Sequence, residues 1–347
     1  MIFSSYSSIE EYRDSFKYLD AELIQLSKGF FDSDISTFIH SAIVLDRRVT
    51  QASHMHHCTI GLGAINFVFI NSFNKLNING INICKDSQIV VAEGEELSAI
   101  VHGKLDISTV SLPIDELINS TPLHFIKSGS IDADAIRKSM FSPHEKGKVH
   151  LLINKYINYL RLHPNPSDQL IFDMIDNISF QLSKYVESSH ETKISKKSKL
   201  STQELNHIHD LIANTEVLSL KALQSVCHCS PRTFNNLINN NFNSTPNQLI
   251  SAIRLNKINR YLDEYSADRK SIKHICEKFG VHSPFRLSKS YKEFFGKSIQ
   301  ESIKEKRKKG AAIAVYFWSN QLEKCLGNVY ISIDCCWIAV TCCLKSC

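Results

Sequence analysis

Two periods of apolar spacing divide the chain. Between Phe38 and Leu117 apolar residues come in short runs, Ile39–Leu45, Ile60–Ile70, Ile78–Ile83, Gln88–Ala92, Leu97–Val101 and Leu105–Leu112, broken by Asn71-Ser72, Asn79-Gly80 and Glu93-Gly94. Ile-, Val- and Phe-rich runs between turn formers read as strands. Their near-regular spacing predicts a small β-barrel or sandwich. Residues 1–37 show no firm period and predict no element. From Asp132 to His163 and from Ser167 to Val186 the period becomes helical. Val149, Ile153, Ile157 and Leu160 share one face, and Ile171, Ile175, Ile178 and Leu182 share another, with Pro164-Asn165-Pro166 between the two helices. Such a hairpin can pack on the barrel, pair with a second copy or contact the DNA-binding part.

Glu187 to Leu200 is polar, Ser- and Lys-rich and without apolar period, the composition of an exposed linker. A helix follows at once. Ser201 and Glu204 have capping-box spacing, and Leu205, Ile208 and Ile212 give it one apolar face.

Between Ser201 and Lys309 one unit occurs twice. Ser230-Pro231 set over Ser283-Pro284 gives an offset of 53 residues, which aligns Phe234, Ile238 and Phe242 with Leu287, Tyr291 and Phe295, Val226 with Phe279, and Asn243 with Gly296. Each copy has two short amphipathic helices. In the first, Leu220, Leu223 and Val226 are expected on the buried face of a scaffold helix, with a turn at Cys227-His228-Cys229. Ser230 then caps a second helix and Pro231 fills its first position. Phe234, Leu237 and Ile238 face inward, which leaves Arg232, Asn236, Asn239 and Asn240 outward. In the second copy Ile272, Ile275, Cys276 and Phe279 form the scaffold face, and Gly280 permits a left-handed turn. Leu287, Tyr291 and Phe295 point inward there, and Phe285, Arg286, Lys289 and Lys292 outward. A helix pair that offers such a face is the geometry of helix-turn-helix recognition of DNA. A helix from Leu249 to Tyr265, with Leu255, Ile258 and Leu262 on its buried side, would be roughly 25 Å long. That suffices to place two recognition helices on major-groove segments about 34 Å apart.

Charge supports this. Residues 201–310 carry 18 Lys and Arg against 10 Asp and Glu, residues 1–200 carry 20 against 23, and 311–347 carry two of each. The basic excess therefore sits on the duplicated unit, as expected where phosphates are met.

The run from Ile272 to Gly280 (IKHICEKFG), with Ser283, Leu287, Lys289, Tyr291, Lys292 and Phe295-Gly296, resembles the signature of the AraC/XylS family of bacterial transcription regulators. Arg254-Leu255 and Thr245-Pro246 match it too. Over about 100 residues the resemblance implies a DNA-binding domain, usually dimeric, behind an N-terminal barrel that often senses a small molecule. That barrel is only loosely similar to the sensor half of ethanolamine-utilisation regulators. The implied fold class is α+β, a small cupin-like β-barrel with a helical hairpin, then an all-α domain of two helix-turn-helix units joined by a linker helix. The implied division is a sensor and dimerisation domain over 1–186, a linker over 187–200, a DNA-binding domain over 201–310 and an atypical tail over 311–347.

The implied DNA-binding residues are Arg232, Asn235, Asn236 and Asn239 in the first unit, and Phe285, Arg286, Lys289 and Lys292 in the second. The implied partners are double-stranded DNA, a small-molecule effector, RNA polymerase and a second copy of the chain, in the cytoplasm on the bacterial nucleoid, with an activator as the expected role. No catalytic residue, cofactor, metal or membrane partner is expected. Departures from the family pattern are Asn243 for Gly, Val281 for an aromatic, Ile299 for Pro and Lys289 for the usual Arg. Asn suits adenine and Phe285 a thymine methyl, so an A·T-rich operator is expected.

Two features stand apart. His54-Met55-His56-His57-Cys58 sets two histidines on one side of a strand, open to a metal-binding barrel enzyme fused to a DNA-binding module, or to a polar loop or strand entry. A sequence-tolerant DNA-organising protein is the other alternative. The basic run Lys304–Lys309 can meet phosphates. Beyond Gly310 both tryptophans and six of the 11 cysteines crowd the last 37 residues, which is read as an appended or frame-altered segment, with a membrane or metal contact as the alternative.

Overall fold

Strand 96–113 holds the N-terminal half together, because it pairs with three others. In the computed structural model, residues 2–16, 19–40, 43–60, 64–83, 89–92, 94–113, 126–127, 130–131, 143–163, 165–187, 202–215, 217–264 and 271–305 are described. They begin with β1 (Ile2–Tyr6), α1 (Ile9–Asp14), β2 (Leu19–Gln25), β3 (Ser33–His40), β4 (Ile43–Thr50) and β5 (His54–Ile60). Then come β6 (Ala64–Ile78), β7 (Ile81–Asn82), β8 (Ile89–Ala92) and β9 (Glu96–Pro113). These strands form one antiparallel sheet in the order β1-β3-β4-β9-β5-β2, with β6 on the other edge of β9 and β7 and β8 paired to β6.

One edge of β9 serves two partners: Leu105–Ser111 pairs with β4 and Glu96–Val101 with β5. Gly103, with φ +71, sits between these halves, and a Cβ there would come 2.7 Å from Asn74 Nδ2. The sheet curls at this point into a half-barrel. Several expected runs are thus re-divided. Leu97–Val101 and Leu105–Leu112 are one strand, Ile39–Leu45 spans the end of β3 and the start of β4, and residues before 37 supply β1, α1 and β2. An isolated antiparallel pair joins β10 (Ile126–Lys127) to β11 (Ser130–Ile131).

Two apolar cores of the N-terminal half lie on the sheet, and a third joins Ile24, Met55 and Ile100 to the helical half. Ile9, Tyr12, Leu23, Phe31, Leu76 and Val101 fill its concave side. On the other face Phe38, Leu45, Phe67 and Val110 meet α2 (Pro143–Leu162) and α3 (Asp168–Glu187). The expected stripe Val149, Ile153, Ile157 and Leu160 is fully buried there, as are Ile171 and Ile178. Each such side chain contributes about 1.5–3 kcal/mol, so the hairpin's inner face is fixed to the sheet.

The helical half comprises α4 (Thr202–Asn214), α5 (Leu220–Val226), α6 (Pro231–Phe242), α7 (Pro246–Glu264), α8 (Ile272–Lys278), α9 (Pro284–Phe295) and a helical turn over 299–305. The chain is α+β, as expected. Ser201, Leu182's side chain, Lys306–Lys309, the 188–200 linker and the 311–347 tail lie outside the described residues. Among the described residues no helix is long and apolar enough to cross a membrane.

Candidate nucleic-acid interface

All four helices of the duplicated unit start on a serine. Ser219 Oγ accepts from Ala222 N, Ser230 from Thr233 N, Ser271 from His274 N and Ser283 from Arg286 N, at 3.1–3.3 Å. Each satisfies one of the N–H groups that a helix start leaves without a partner. Pro231 and Pro284 follow directly after their caps. Both second helices end in a left-handed residue, Asn243 (φ 51) and Gly296 (φ 76), so Asn243 performs the role its aligned Gly does.

These caps fix which side faces in. Phe234, Ile238 and Phe242 are buried in the first unit, and Leu287, Tyr291 and Phe295 in the second. One expectation fails: Leu220 is 43% exposed. It is the first residue of the short α5, directly after the Ser219 cap, where one turn cannot yet reach the core. Leu223 alone in α5 is buried.

Arg232, Asn235, Asn236, Asn239 and Asn240 are all exposed along α6, and Phe285, Arg286, Lys289 and Lys292 along α9. Phe285 is 78% exposed, although burying a Phe is worth about 1.5–3 kcal/mol and nothing in the fold takes it. Each recognition helix thus presents one polar or basic face and buries the other. Asn241 belongs to the inner side, where its Nδ2 donates to the Leu237 carbonyl at 2.8 Å.

Helix α7 joins the units and also meets the sheet. Asn256 Oδ1 accepts from Gln25 N at 3.0 Å, and Asn256 Nδ2 donates to the Gln25 carbonyl at 2.9 Å. Arg260 Nη1 lies 2.8 Å from Glu22 Oε1, and His209 Nε2 of α4 lies 3.4 Å from Glu22 Oε2. Those two neighbours hold the Glu22 carboxyl down at about 2, against the effect of burial. Nothing in the sequence pattern flagged Gln25, Glu22, Asn256 or Arg260. The usable signal was two asparagines three residues apart, Asn256 and Asn259, between the apolar positions Leu255, Ile258 and Leu262.

The 54–58 cluster lies in β5, and its residues split between faces. His54 and His56 pack among the aromatic side chains Tyr12, Phe16 and Phe31, and burial drops them to about 4 and about 3. They are neutral imidazoles. His57 faces the helices instead, its ring stacked at 3.8 Å on His209. Among the described residues no group of three or more His, Cys, Asp or Glu is placed to hold a metal ion.

Comparison with known proteins agrees on the helical half. A family model described as "Helix-turn-helix domain" matches residues 223–305. The AraC-like transcriptional activator CuxR is similar in structure at 12% identity and TM-score 0.41, covering 76% of this chain and 95% of its own. ToxT from Vibrio cholerae is similar at 11% identity and TM-score 0.28, covering 83% and 98%. The Schizosaccharomyces pombe Cnp3 cupin domain is similar at 11% identity and TM-score 0.21, covering 23% and 64%. No curated protein matches the chain. Residues 223–305 are a helix-turn-helix domain.

Proposed function

We propose that this chain, a transcription regulator by its AraC-type helix-turn-helix domain at 223–305, is an activator that reads two successive major-groove segments and answers to an effector at its N-terminal half. The observation that carries this is the pair of matched recognition helices. Both are capped by serine, both bury one face, and both leave a polar or basic face open, including an exposed Phe285 that has no structural role. Arg232, Asn235, Asn236 and Asn239 read one segment, and Phe285, Arg286, Lys289 and Lys292 the next. Helix α7, at 19 residues, is roughly 28 Å long, close to the spacing of successive groove segments on one side of a duplex.

The chain divides into a sensor half over 1–186, a linker over 187–200, the DNA-binding domain over 201–310 and a tail over 311–347. A cavity of about 290 Å³ between β2 and helices α4, α7 and α8 is the place we assign to the small-molecule effector; Glu22, Ile24, Ile253, Lys257, Arg260 and Phe279 line it. The outer face of α2 carries Leu151 and Leu162 exposed, which supports a homodimer through that hairpin. RNA polymerase is the partner of an activator, and the cytoplasm its compartment.

Selection of duplexes by the full chain from a random-sequence pool tests the function. The expected outcome is a preferred, A·T-rich site with two contacted segments about one helical turn apart. Binding that falls with salt alike for every duplex, with no preferred sequence, would make the chain a DNA-organising protein instead.

A further inference from the structure

Both recognition helices end against the half-barrel. At the end of α6 the Asn240 carbonyl accepts from Lys75 Nζ at 2.8 Å, and the Asn241 carbonyl is 2.8 Å from His102 Nε2, which donates to it. Lys75 and His102 are cross-strand partners on β6 and β9, directly after a register irregularity between Phe73 and Lys75. The last carbonyls of a helix have no donors within it and carry its negative end, so a cation and an N–H there are well placed.

The end of α9 is held by the loop after β2. Gly29 N donates to the Phe294 carbonyl at 2.8 Å, and Lys28 pairs with Glu293 at 3.3 Å. The Phe30 ring lies so close over Gly296 that a Cβ there would sit 2.8 Å from it.

A third hold is internal. Glu10 of α1 hydrogen-bonds Asn259 of α7, Asn259 hydrogen-bonds the Tyr291 hydroxyl of α9, and that hydroxyl lies 3.1 Å from Ser302 Oγ. All four side chains are buried. With the two-way bond between Asn256 and Gln25, the sheet touches α6, α7 and α9 at separate points. None of these contacts covers Arg232, Asn236, Phe285 or Lys289, which stay exposed. The half-barrel holds the far ends of the reading helices and leaves their faces open.

We propose that the half-barrel is a brace, which fixes the separation and angle of α6 and α9 in the arrangement that fits DNA. This rests on the reading that both units engage one duplex. The two units have separate apolar cores, joined along α7 and touching where Val217 packs against Gly280. Without the sheet, their mutual orientation would be set by α7 and that one small apolar touch. Ordering them on DNA would then cost affinity, because pre-ordered binding elements lose less freedom on association.

The test uses the full chain with Phe30→Ala and His102→Ala together. Both lie on the sheet side and off the reading faces, and Phe30 is 65% exposed, so its truncation opens no core. The probe is the tightest duplex that the unaltered chain recovers from a random pool, alone and with base pairs inserted one at a time between its two contacted segments. The expected result is binding about tenfold weaker to the parent duplex, a change of about 1.4 kcal/mol, with a smaller penalty for each insertion. The salt slope stays as it was, because no phosphate contact is lost. Phe30→Ala alone, a surface truncation that leaves folding untouched, moves both readouts the same way by a smaller factor. Parent-duplex binding as tight as before, or tighter, overturns the brace and makes the half-barrel indifferent or a restraint. If the unaltered chain prefers no duplex, the two-segment function fails and the brace with it; an unaltered chain that binds while the variants match it removes the brace alone.

Discussion

Phe234 and Leu287 occupy matching positions in the two recognition helices, yet the cores they enter have different owners. Phe234 packs in a cluster that includes Ile24, Met55 and Ile100 from the sheet, together with Ile208 of α4 and Ile253 of α7. Leu287 packs with Ala252, Ile258, Ile275 and Tyr291, and no buried residue of that cluster precedes Ala252. The first unit shares an apolar core with the half-barrel, beside the Lys75 and His102 hydrogen bonds at the end of α6. The second shares no core with it and is tied by hydrogen bonds and one ion pair, through Glu10, Gly29 and Lys28, and by the Phe30 ring against Gly296. A duplicated scaffold has thus been attached twice by different physics, and the two attachments should answer differently to mutation, acid and salt.

The largest contrast comes from the cores. Phe234→Ala should cost about 3–5 kcal/mol and Leu287→Ala about 2–5 kcal/mol in chemical denaturation. Only Phe234→Ala should also lower hydrogen-exchange protection at Ile24, Met55 and Ile100, because only that cavity opens against the sheet. Equal loss at those amides in Leu287→Ala would erase the distinction. The polar attachment is smaller. Asn259→Ala removes the link between Glu10 and Tyr291, all buried, and should cost about 2 kcal/mol through groups left with one partner fewer. The loss of protection is expected in α9 and not in α6; a melt unchanged from that of the unaltered chain would show the chain Glu10–Asn259–Tyr291 to be idle.

Acid should act on the sheet side first. His54 and His56 titrate at about 4 and about 3 when folded because they are buried, against about 6.5 in an unfolded chain. A depressed histidine binds its proton more readily unfolded. Its stabilising effect is therefore complete above pH 6.5 and is lost as pH falls from there towards 4 or 3. From pH 6.5 to 5 the loss is about 1.5 kcal/mol per histidine. Glu22, held near 2, adds its own loss only between pH 4.5 and 2. Denaturation midpoints taken at pH 7 and pH 5 should fall accordingly, and His54→Gln should flatten the dependence by one proton. A pH-independent midpoint over that range would mean that the two histidines are not buried in solution.

Much of the helical half was legible because local rules and tertiary packing agree there. Ser-Pro starts, left-handed Asn243 and Gly296, and inward Phe234, Ile238, Leu287 and Tyr291 all follow from spacing and cap chemistry. Leu220 was misplaced because a one-turn offset at a helix start lies below the resolution of an apolar period. In α7 a single buried side was expected, whereas Ile250 and Ile253 face one core and Leu255, Ile258 and Leu262 another. A helix apolar on two faces has no single stripe to detect. The sheet was legible as strands but not as pairings. No local signal shows that β9 would take β4 and β5 on one edge, or that the first residues would supply β1 and β2. The barrel's grip on the helices was invisible for the same reason: Gln25 and Asn256 lie 231 positions apart.

The finest contrast is in the chemistry of the two exposed faces. Asn235, Asn236 and Asn239 on α6 offer neutral amides beside a single Arg232, and α9 offers Arg286, Lys289 and Lys292. An amide that pairs with adenine discriminates among bases, and Asn236→Ala should cost about 1 kcal/mol at one position of the site with little change in salt dependence. A lysine ammonium is a point charge, less suited than Arg to a paired contact with guanine and well suited to phosphate. Lys289→Ala should therefore weaken binding to every duplex alike and lower the salt slope by about 0.9. Both are read from binding isotherms at several salt concentrations on the selected duplex and on single-base variants of it. Equal salt slopes and equal specificity losses in the two variants would show that the units differ in how they are anchored but not in what they read.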